Sequence, residues 1–311
     1  MKLGCFYLLW TRNWLRLMNE MTALREDRDR IREDFERLRE QIGMSSQPLL
    51  NPLTRRAKDE TFAEPPAPTP SKRAMMGVLD GWTTQYIVEG IPTGGTIPLH
   101  DAPSLREQLA RIGGAKGKRV LELGPLEAAH TRILCEQGAR EVVAVEGFRE
   151  CWLRCLVAKE VFELDQARFL YGNFCAYAAT YDGVPFDFVL AHGVLYHQKN
   201  PAGLIHDLGR LTDCVLVWSH VANEDNPPGP ELQVEAQGRS YRGRQNDYQN
   251  ARNTMRNYCG GVSSVATWLY PDELRRAFHD AGFAFIAEEP YLPTGYGRVM
   301  QLIASKKPLE K

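Results

Sequence analysis

Two acids, Glu122 and Glu146, stand at or near the ends of two apolar runs and carry the sharpest chemical signal in the sequence. The first run, Arg119-Val-Leu-Glu-Leu, stops at Gly124-Pro125, and a helix-like segment, Glu127 to Gln137, follows. The second run, Val142 to Val145, stops at Glu146-Gly147. A glycine turn lets a ligand approach the backbone, and an acid about 20 residues further on can accept hydrogen bonds from ribose hydroxyls. The spacing therefore predicts a nucleotide-type pocket at the carboxyl ends of two neighbouring parallel strands. Charge decides which nucleotide. A dinucleotide sets its pyrophosphate on the helix N-terminus and wants several glycines there. Here one glycine precedes Leu126 and the carboxylate of Glu127, with Ala128 close behind. Glu127 would repel a pyrophosphate and tolerate a sulfonium or ammonium cation, while Glu122 could bind a positive amino group. That logic favours S-adenosylmethionine over a nicotinamide cofactor.

Methyl transfer from a sulfonium is an in-line displacement, so positioning dominates and can supply about 7–11 kcal/mol. A base matters when the acceptor is a weak nucleophile such as a hydroxyl. Histidines and a tyrosine, His192, Tyr196 and His197, follow the fourth expected strand, where an acceptor should lie. His197 reads either as a base or orienting group or as a structural histidine bonded to a loop, and Tyr196 as a ring packed beside the cofactor. His130 could cap the first helix or meet the cofactor carboxylate. Arg239, Tyr241, Arg242, Arg244, Tyr248, Arg252, Arg256 and Tyr258 cluster after the fifth strand. Arginines interleaved with tyrosines suit an anionic acceptor. The other reading is a solvated helical face from Asn246 to Asn257. His100 and Asp101 could approach the same cleft.

The elements that must position these groups are legible as alternating runs. Strands are expected at Arg119 to Leu123, Glu141 to Val145, Arg168 to Tyr171, Phe186 to Ala191 and Cys214 to Ser219, then Ala284 to Glu288 and Arg298 to Ser305. Helices are expected at Ala128 to Gln137, Arg149 to Phe162, Pro201 to Leu211 and Pro271 to Ala281. Such alternation implies a doubly wound, mostly parallel α/β sheet of seven strands. Gly77 to Gly113 would cover its ligand edge. The segment 223–268 is too long for a simple connection and reads as a substrate lid or insert. Ahead of this domain, expected over 73–311, large side chains from Trp10 to Ile42 recur with four-three spacing, broken at Arg28. That pattern over 1–42 is a coiled-coil seam or an amphipathic helix docked on its own domain. Six prolines within 43–72 mark a flexible linker.

Composition narrows the setting. The net charge of -1 gives no overall attraction to polyanions. Seven cysteines without CxxC spacing argue against a disulfide framework or a zinc site and for a cytoplasmic, reducing location. The apolar stretch Cys5 to Trp10 is far shorter than the ~20 residues that span a bilayer.

On these motifs the chain resembles the class I S-adenosylmethionine-dependent methyltransferases. Glu122-x-Gly124 looks like their first motif and Glu146 like the ribose-binding acid of the second. The resemblance implies a Rossmann-like fold and a cofactor site of Glu122, Gly124, Pro125, Glu146, Gly147, Asn173, Phe174 and His192, with Asn173 against the adenine. Their positions in the sequence make Tyr196 and His197 the candidates for chemistry and Arg239, Tyr241, Arg242 and Arg244 those for substrate, and no metal is expected. Gly193-Val-Leu-Tyr-His197 and Pro201 are similar to a segment of the bacterial tRNA wobble-uridine carboxymethyltransferases, which implies carboxy-S-adenosylmethionine and tRNA as alternatives. The expectation is a methyltransferase for a small anionic or glycan-type acceptor, self-associating through its N-terminal helix. A non-catalytic coiled-coil scaffold is the rival, because Leu126 and Ala128 stand where that family carries glycines.

Overall fold

Short runs of β-branched and apolar residues bounded by Gly, Asp and Asn become strands, and the longer mixed segments between them become helices that cover both sheet faces. The structure is a computed structural model and describes residues 69–224, 226, 229–248, 263–289, 292–294 and 297–309. The expected coiled coil and linker, residues 69–72 apart, lie outside the described residues, as do Arg252, Arg256 and Tyr258.

The described chain begins with helix α1 (Lys72–Met76), a hairpin β1 (Gln85–Val88) and β2 (Ile91–Gly94), and helix α2 (Pro103–Arg111). Then come β3 (Arg119–Leu123), α3 (Ala129–Glu136), β4 (Glu141–Glu146), α4 (Arg149–Phe162), β5 (Ala167–Tyr171), α5 (Phe174–Thr180) and β6 (Phe188–His192). A 3-10 turn (Leu195–His197) leads to α6 (Pro201–Leu211) and β7 (Cys214–Val221). After an excursion through β8 (Glu231–Ala236), β9 (Arg239–Asp247) and β10 (Val265–Leu269), α7 (Pro271–Asp280), β11 (Phe285–Glu288), β12 (Leu292–Thr294) and β13 (Gly297–Ser305) complete the fold.

The main sheet runs β11-β13-β7-β6-β3-β4-β5, with β12 added beside β13. Strands β3 to β7 are mutually parallel, and β13 lies antiparallel between β7 and β11. This is the expected mostly parallel, seven-stranded, Rossmann-like sheet. Successive residues of β3 and β4 feed opposite cores. Leu121, Leu123, Val143 and Val145 face α5, α6 and α7, whereas Val120, Val142 and Ala144 face α2, α3 and α4. From β3 the chain winds one way to β4 and β5 and the other way to β6 and β7. The carboxyl ends of β3 and β6 therefore flank the switch point, where open α/β sheets bind ligands.

Two expectations change in detail. Residue 186 forms only an isolated bridge with Thr212, and the fourth strand runs instead to His192. The segment after β7 is a three-stranded antiparallel sheet, β10-β9-β8, where a helical face from Asn246 was one reading. Asn246 and Asp247 belong to β9, paired with Ala266 and Val265.

Candidate active site

Strand β3 delivers Glu122 and then breaks at Gly124, whose φ of +61° suits glycine. A Cβ there would lie 2.8 Å from Val194 Cγ1 and 3.7 Å from Phe174 Cε1, so the turn sits close against the loop after β6 and the start of α5. Leu126 (φ +57°) and Ala128 (φ +69°) hold the left-handed backbone that glycines would adopt freely. For non-glycine residues this costs about 1–2 kcal/mol each. Two carboxylates offset that strain. Glu146 Oε2 accepts the Leu126 N–H at 3.0 Å, and Oε1 accepts the Phe148 N–H at 2.8 Å. Glu127 is fully buried and accepts the N–H groups of Thr83 (2.9 Å) and Thr84 (2.7 Å), with Arg154 Nη1 at 3.6 Å. Tyr86 donates its hydroxyl to the Glu127 backbone carbonyl.

Glu127 thus faces the hairpin at the N-terminal side of the domain. The sequence reading of it as a tolerated neighbour for a sulfonium needs correction, because both of its oxygens are bound to that backbone. The other two acids keep acceptor capacity. A carboxylate has about four lone-pair sites, and Glu146 still has room for ribose hydroxyls. Burial raises the Glu146 pKa, opposed by the N–H groups of Phe148, Leu126 and Gly147. Glu122 accepts the Thr131 hydroxyl, and burial pushes its carboxyl up to about 8, with Glu146 adding to the rise. A buried, mostly protonated acid of this kind is poised to ionise beside an incoming cation.

At the end of β6, the tautomer of His192 is set by Gln108 of α2. The Gln108 amide nitrogen donates to the carbonyls of Val217 (3.1 Å) and Leu302 (2.9 Å), which can only accept. Its oxygen must then face His192 Nε2, at 2.6 Å, so that nitrogen carries the proton and Nδ1 keeps the lone pair. Burial and neighbouring His130 hold the His192 pKa well below the ordinary value. His130 lies within the first turn of α3, edge-on to His192 with centroids 5.5 Å apart. It is not the helix cap: that position is Ala128, with no side-chain bond. Burial lowers the His130 pKa to about 4.

Beyond the β6 loop lies a cluster of rings. Tyr196 packs on His197 (4.1 Å) and edge-on to His220 (4.6 Å) and Trp268 (5.7 Å). His220, from β7, stacks on Trp268, from β10, at 4.8 Å and 17°. His197 Nδ1 is 2.9 Å from the Tyr248 hydroxyl. Burial lowers the pKa of His197 to about 3 and that of His220 to about 4, so both are neutral at physiological pH. Strand β10 is fixed over this corner: Thr267 N–H donates to the Gln198 carbonyl (2.8 Å) and its hydroxyl to the Lys199 carbonyl (2.7 Å).

A family model described as a methyltransferase domain matches residues 99–288. The chain belongs to that family. S-adenosylmethionine is the cofactor of this methyltransferase, and the buried acids around Gly124 fit its cationic, ribose-bearing shape. Among solved structures it resembles the N-terminal domain of EvdMO1 in the presence of S-adenosylhomocysteine and D-fucose. The TM-score is 0.62 and the identity 22%, over 76% of this chain and 95% of that one. The same domain with S-adenosylhomocysteine bound gives a TM-score of 0.61 at 22% identity, with 76% and 95% covered. Whole EvdMO1 gives 0.53, again at 22% identity, over 75% of this chain and 46% of that one. No curated protein sequence matches the methyltransferase.

Glu122, Gly124, Pro125, Glu146, Gly147, Phe174 and His192 fall at the carboxyl ends of β3, β4 and β6 or in the segments that follow β3, β4 and β5. Asn173 is the N-cap of α5, its side-chain oxygen accepting the N–H groups of Cys175 and Ala176. The four expected substrate residues have partners within the fold. Tyr241 is buried and donates to Asp280, Arg239 pairs with Asp280, Arg242 with Glu273, and Arg244 binds the carbonyls of Gly229 and Glu224. His100 and Asp101 lie beside the hairpin, with His100 bonded to the Gln85 carbonyl. Gln108, His220 and Trp268 escaped the sequence reading. Only the Trp218-Ser-His220 end of β7 offered a hint, polar and aromatic at a strand terminus. No helix among the described residues is long and apolar enough to cross a membrane.

Proposed function

We propose that the methyltransferase passes a methyl group to a small polar acceptor of the glycan or anionic type, seated against the rings of Tyr196, His197, Trp218, His220 and Trp268. The observation that carries this reading is the ring cluster itself, a set of neutral imidazoles and aromatic faces beside the cofactor turn. In this reading Glu146 takes the ribose hydroxyls and Glu122 the amino group of the cofactor. Gly124, Pro125 and Gly147 give close backbone approach, and Phe174 with the half-exposed Phe148 flanks the base. His192 presents its Nδ1 lone pair near the reacting end. S-adenosylmethionine supplies an electrophilic methyl group on a sulfonium. The chain's own contribution is orientation: Tyr248 fixes His197, His197 supports Tyr196, and Tyr196 sets the acceptor. Holding the acceptor in line supplies about 7–11 kcal/mol.

The pairing of Arg239 with Asp280, of Arg242 with Glu273 and of Arg244 with backbone carbonyls favours the glycan-type acceptor over the anionic one. It also withdraws support from carboxymethyl transfer to tRNA, which needs a cation beside the methyl position and a basic surface.

The test is incubation of the full chain with methyl-labelled S-adenosylmethionine and a panel of hexoses, uronic acids and aromatic acids. Labelled hexose or uronate with stoichiometric S-adenosylhomocysteine is expected. Label confined to aromatic acids, or none transferred, overturns the acceptor assignment. Replacing Glu146 with Ala should abolish cofactor retention; unchanged retention refutes its ribose role.

A further inference from the structure

Two buried polar atoms of the ring cluster have no hydrogen-bond partner among the described residues: His220 Nδ1 and Trp268 Nε1. Both side chains are more than nine-tenths buried, at 8% and 5% exposure. Leaving one such atom unpaired typically costs about 1–3 kcal/mol, so two in a single stack ask for an explanation. Their chemistry is complementary. An indole nitrogen only donates. A neutral imidazole offers one lone pair, and burial keeps His220 neutral while the Arg298 backbone favours a proton on the ring. The pair therefore presents one donor and one acceptor.

A hydroxyl is the common functional group that can both accept and donate. A carboxylate would satisfy Trp268 and leave His220 without a donor; an ammonium would do the reverse. We propose that His220 and Trp268 form a subsite that recognises a hydroxyl of the acceptor, making the substrate an alcohol or polyol such as a sugar. The proposal rests on the reading of this corner as the acceptor site. Tyr196 stands edge-on to both rings and Trp218 borders His220 at 5.3 Å; both are partly exposed.

The experiment measures binding of D-glucose, D-galactose and L-rhamnose to the full chain saturated with S-adenosylhomocysteine, by calorimetry. Each sugar is compared with its mono-deoxy and mono-O-methyl analogues, and benzoate serves as the carboxylate control. At least one sugar should bind, and removing or methylating one particular hydroxyl should weaken it about tenfold. Trp268→Phe and His220→Phe keep the rings and should each produce a similar loss, with affinity for S-adenosylhomocysteine unchanged. The analogue series on the unaltered protein decides the matter even where a variant fails to fold. Failure of every sugar to bind, equal affinity across the analogues, or tighter benzoate binding overturns the subsite. Sugars that bind with this pattern but never acquire a methyl group would instead sink the transfer reading and leave the subsite standing. Methylated sugar with equal analogue affinities would do the opposite.

Discussion

The Glu127 carboxylate accepts the backbone N–H of Thr84 at 2.7 Å, so the cofactor turn and the N-terminal hairpin are joined at a point sealed from solvent. The same carboxylate holds Thr83 and faces Arg154, whose Nε and Nη2 donate to the Asp80 carbonyl. One buried acid thus anchors segment 80–84 and fixes the residue between Leu126 and Ala128.

Glu127→Ala should destabilise the fold by about 3–5 kcal/mol, since it leaves the buried Arg154 guanidinium without its facing carboxylate and the Thr83 and Thr84 amides without an acceptor. Glu127→Gln keeps one acceptor oxygen and should cost less, while weakening S-adenosylhomocysteine binding through the released turn. Urea titration and calorimetry on both variants measure this; equal stability of Glu127→Ala and the parent would refute the clamp.

Glu122, with its carboxyl pushed up to about 8, is mostly protonated near neutral pH. Binding a cationic amino group should ionise it and release about one proton near pH 7, fading as the pH rises past 8. Calorimetry in buffers of differing ionisation enthalpy reads the proton directly. Glu122→Gln should abolish the release; a buffer-independent enthalpy in the parent contradicts the assignment.

Leu126→Gly and Ala128→Gly trade left-handed strain of about 1–2 kcal/mol against lost packing and added freedom in the unfolded chain. The terms are of similar size, so each change should shift stability by less than about 1 kcal/mol and leave cofactor affinity intact. Ala128→Val has no such relief, because a β-branched residue resists positive φ, and it should cost more than about 2 kcal/mol. A large loss in either glycine variant would show that the side chains, and not the backbone shape, matter there.

Four histidines set the acid limit. Burial lowers His130 to about 4, His197 to about 3 and His220 to about 4, and holds His192 well below its ordinary value. Below about pH 6.5 the unfolded chain binds protons that the folded chain refuses. Their contribution is therefore complete above pH 6.5 and declines as the pH falls towards 4, by at most about 1.4 kcal/mol per histidine per pH unit. Glu122 works the other way over part of this range, but it is outnumbered. Urea midpoints measured from pH 6.5 to 5 should fall steadily; a flat profile would count against buried neutral histidines.

The sheet was readable because its strands are continuous apolar runs closed by glycine and acid, the mark of strands buried on both faces. The places of Glu122, Gly124 and Glu146 at strand ends were readable because each directly closes or follows an apolar run. His220 and Trp268 were not: they lie on β7 and β10, and their stacking arises only when β10 folds back over the β6 loop. Charge alone also does not show that Glu127 binds the hairpin backbone or that the arginines from 239 to 244 meet Asp280, Glu273 and backbone carbonyls. Whether an ionic side chain meets a ligand or its own backbone depends on the hairpin and on α7, whose register no local pattern announces.

Thr83 and Thr84 lie upstream of residue 99, where the methyltransferase family match begins. The working enzyme is accordingly larger than its recognisable signature. An N-terminal expression boundary drawn at residue 99, with the C-terminus left whole, would retain every strand of the main sheet and discard the two amides that seat the donor turn, yielding a folded shell with a slack mouth.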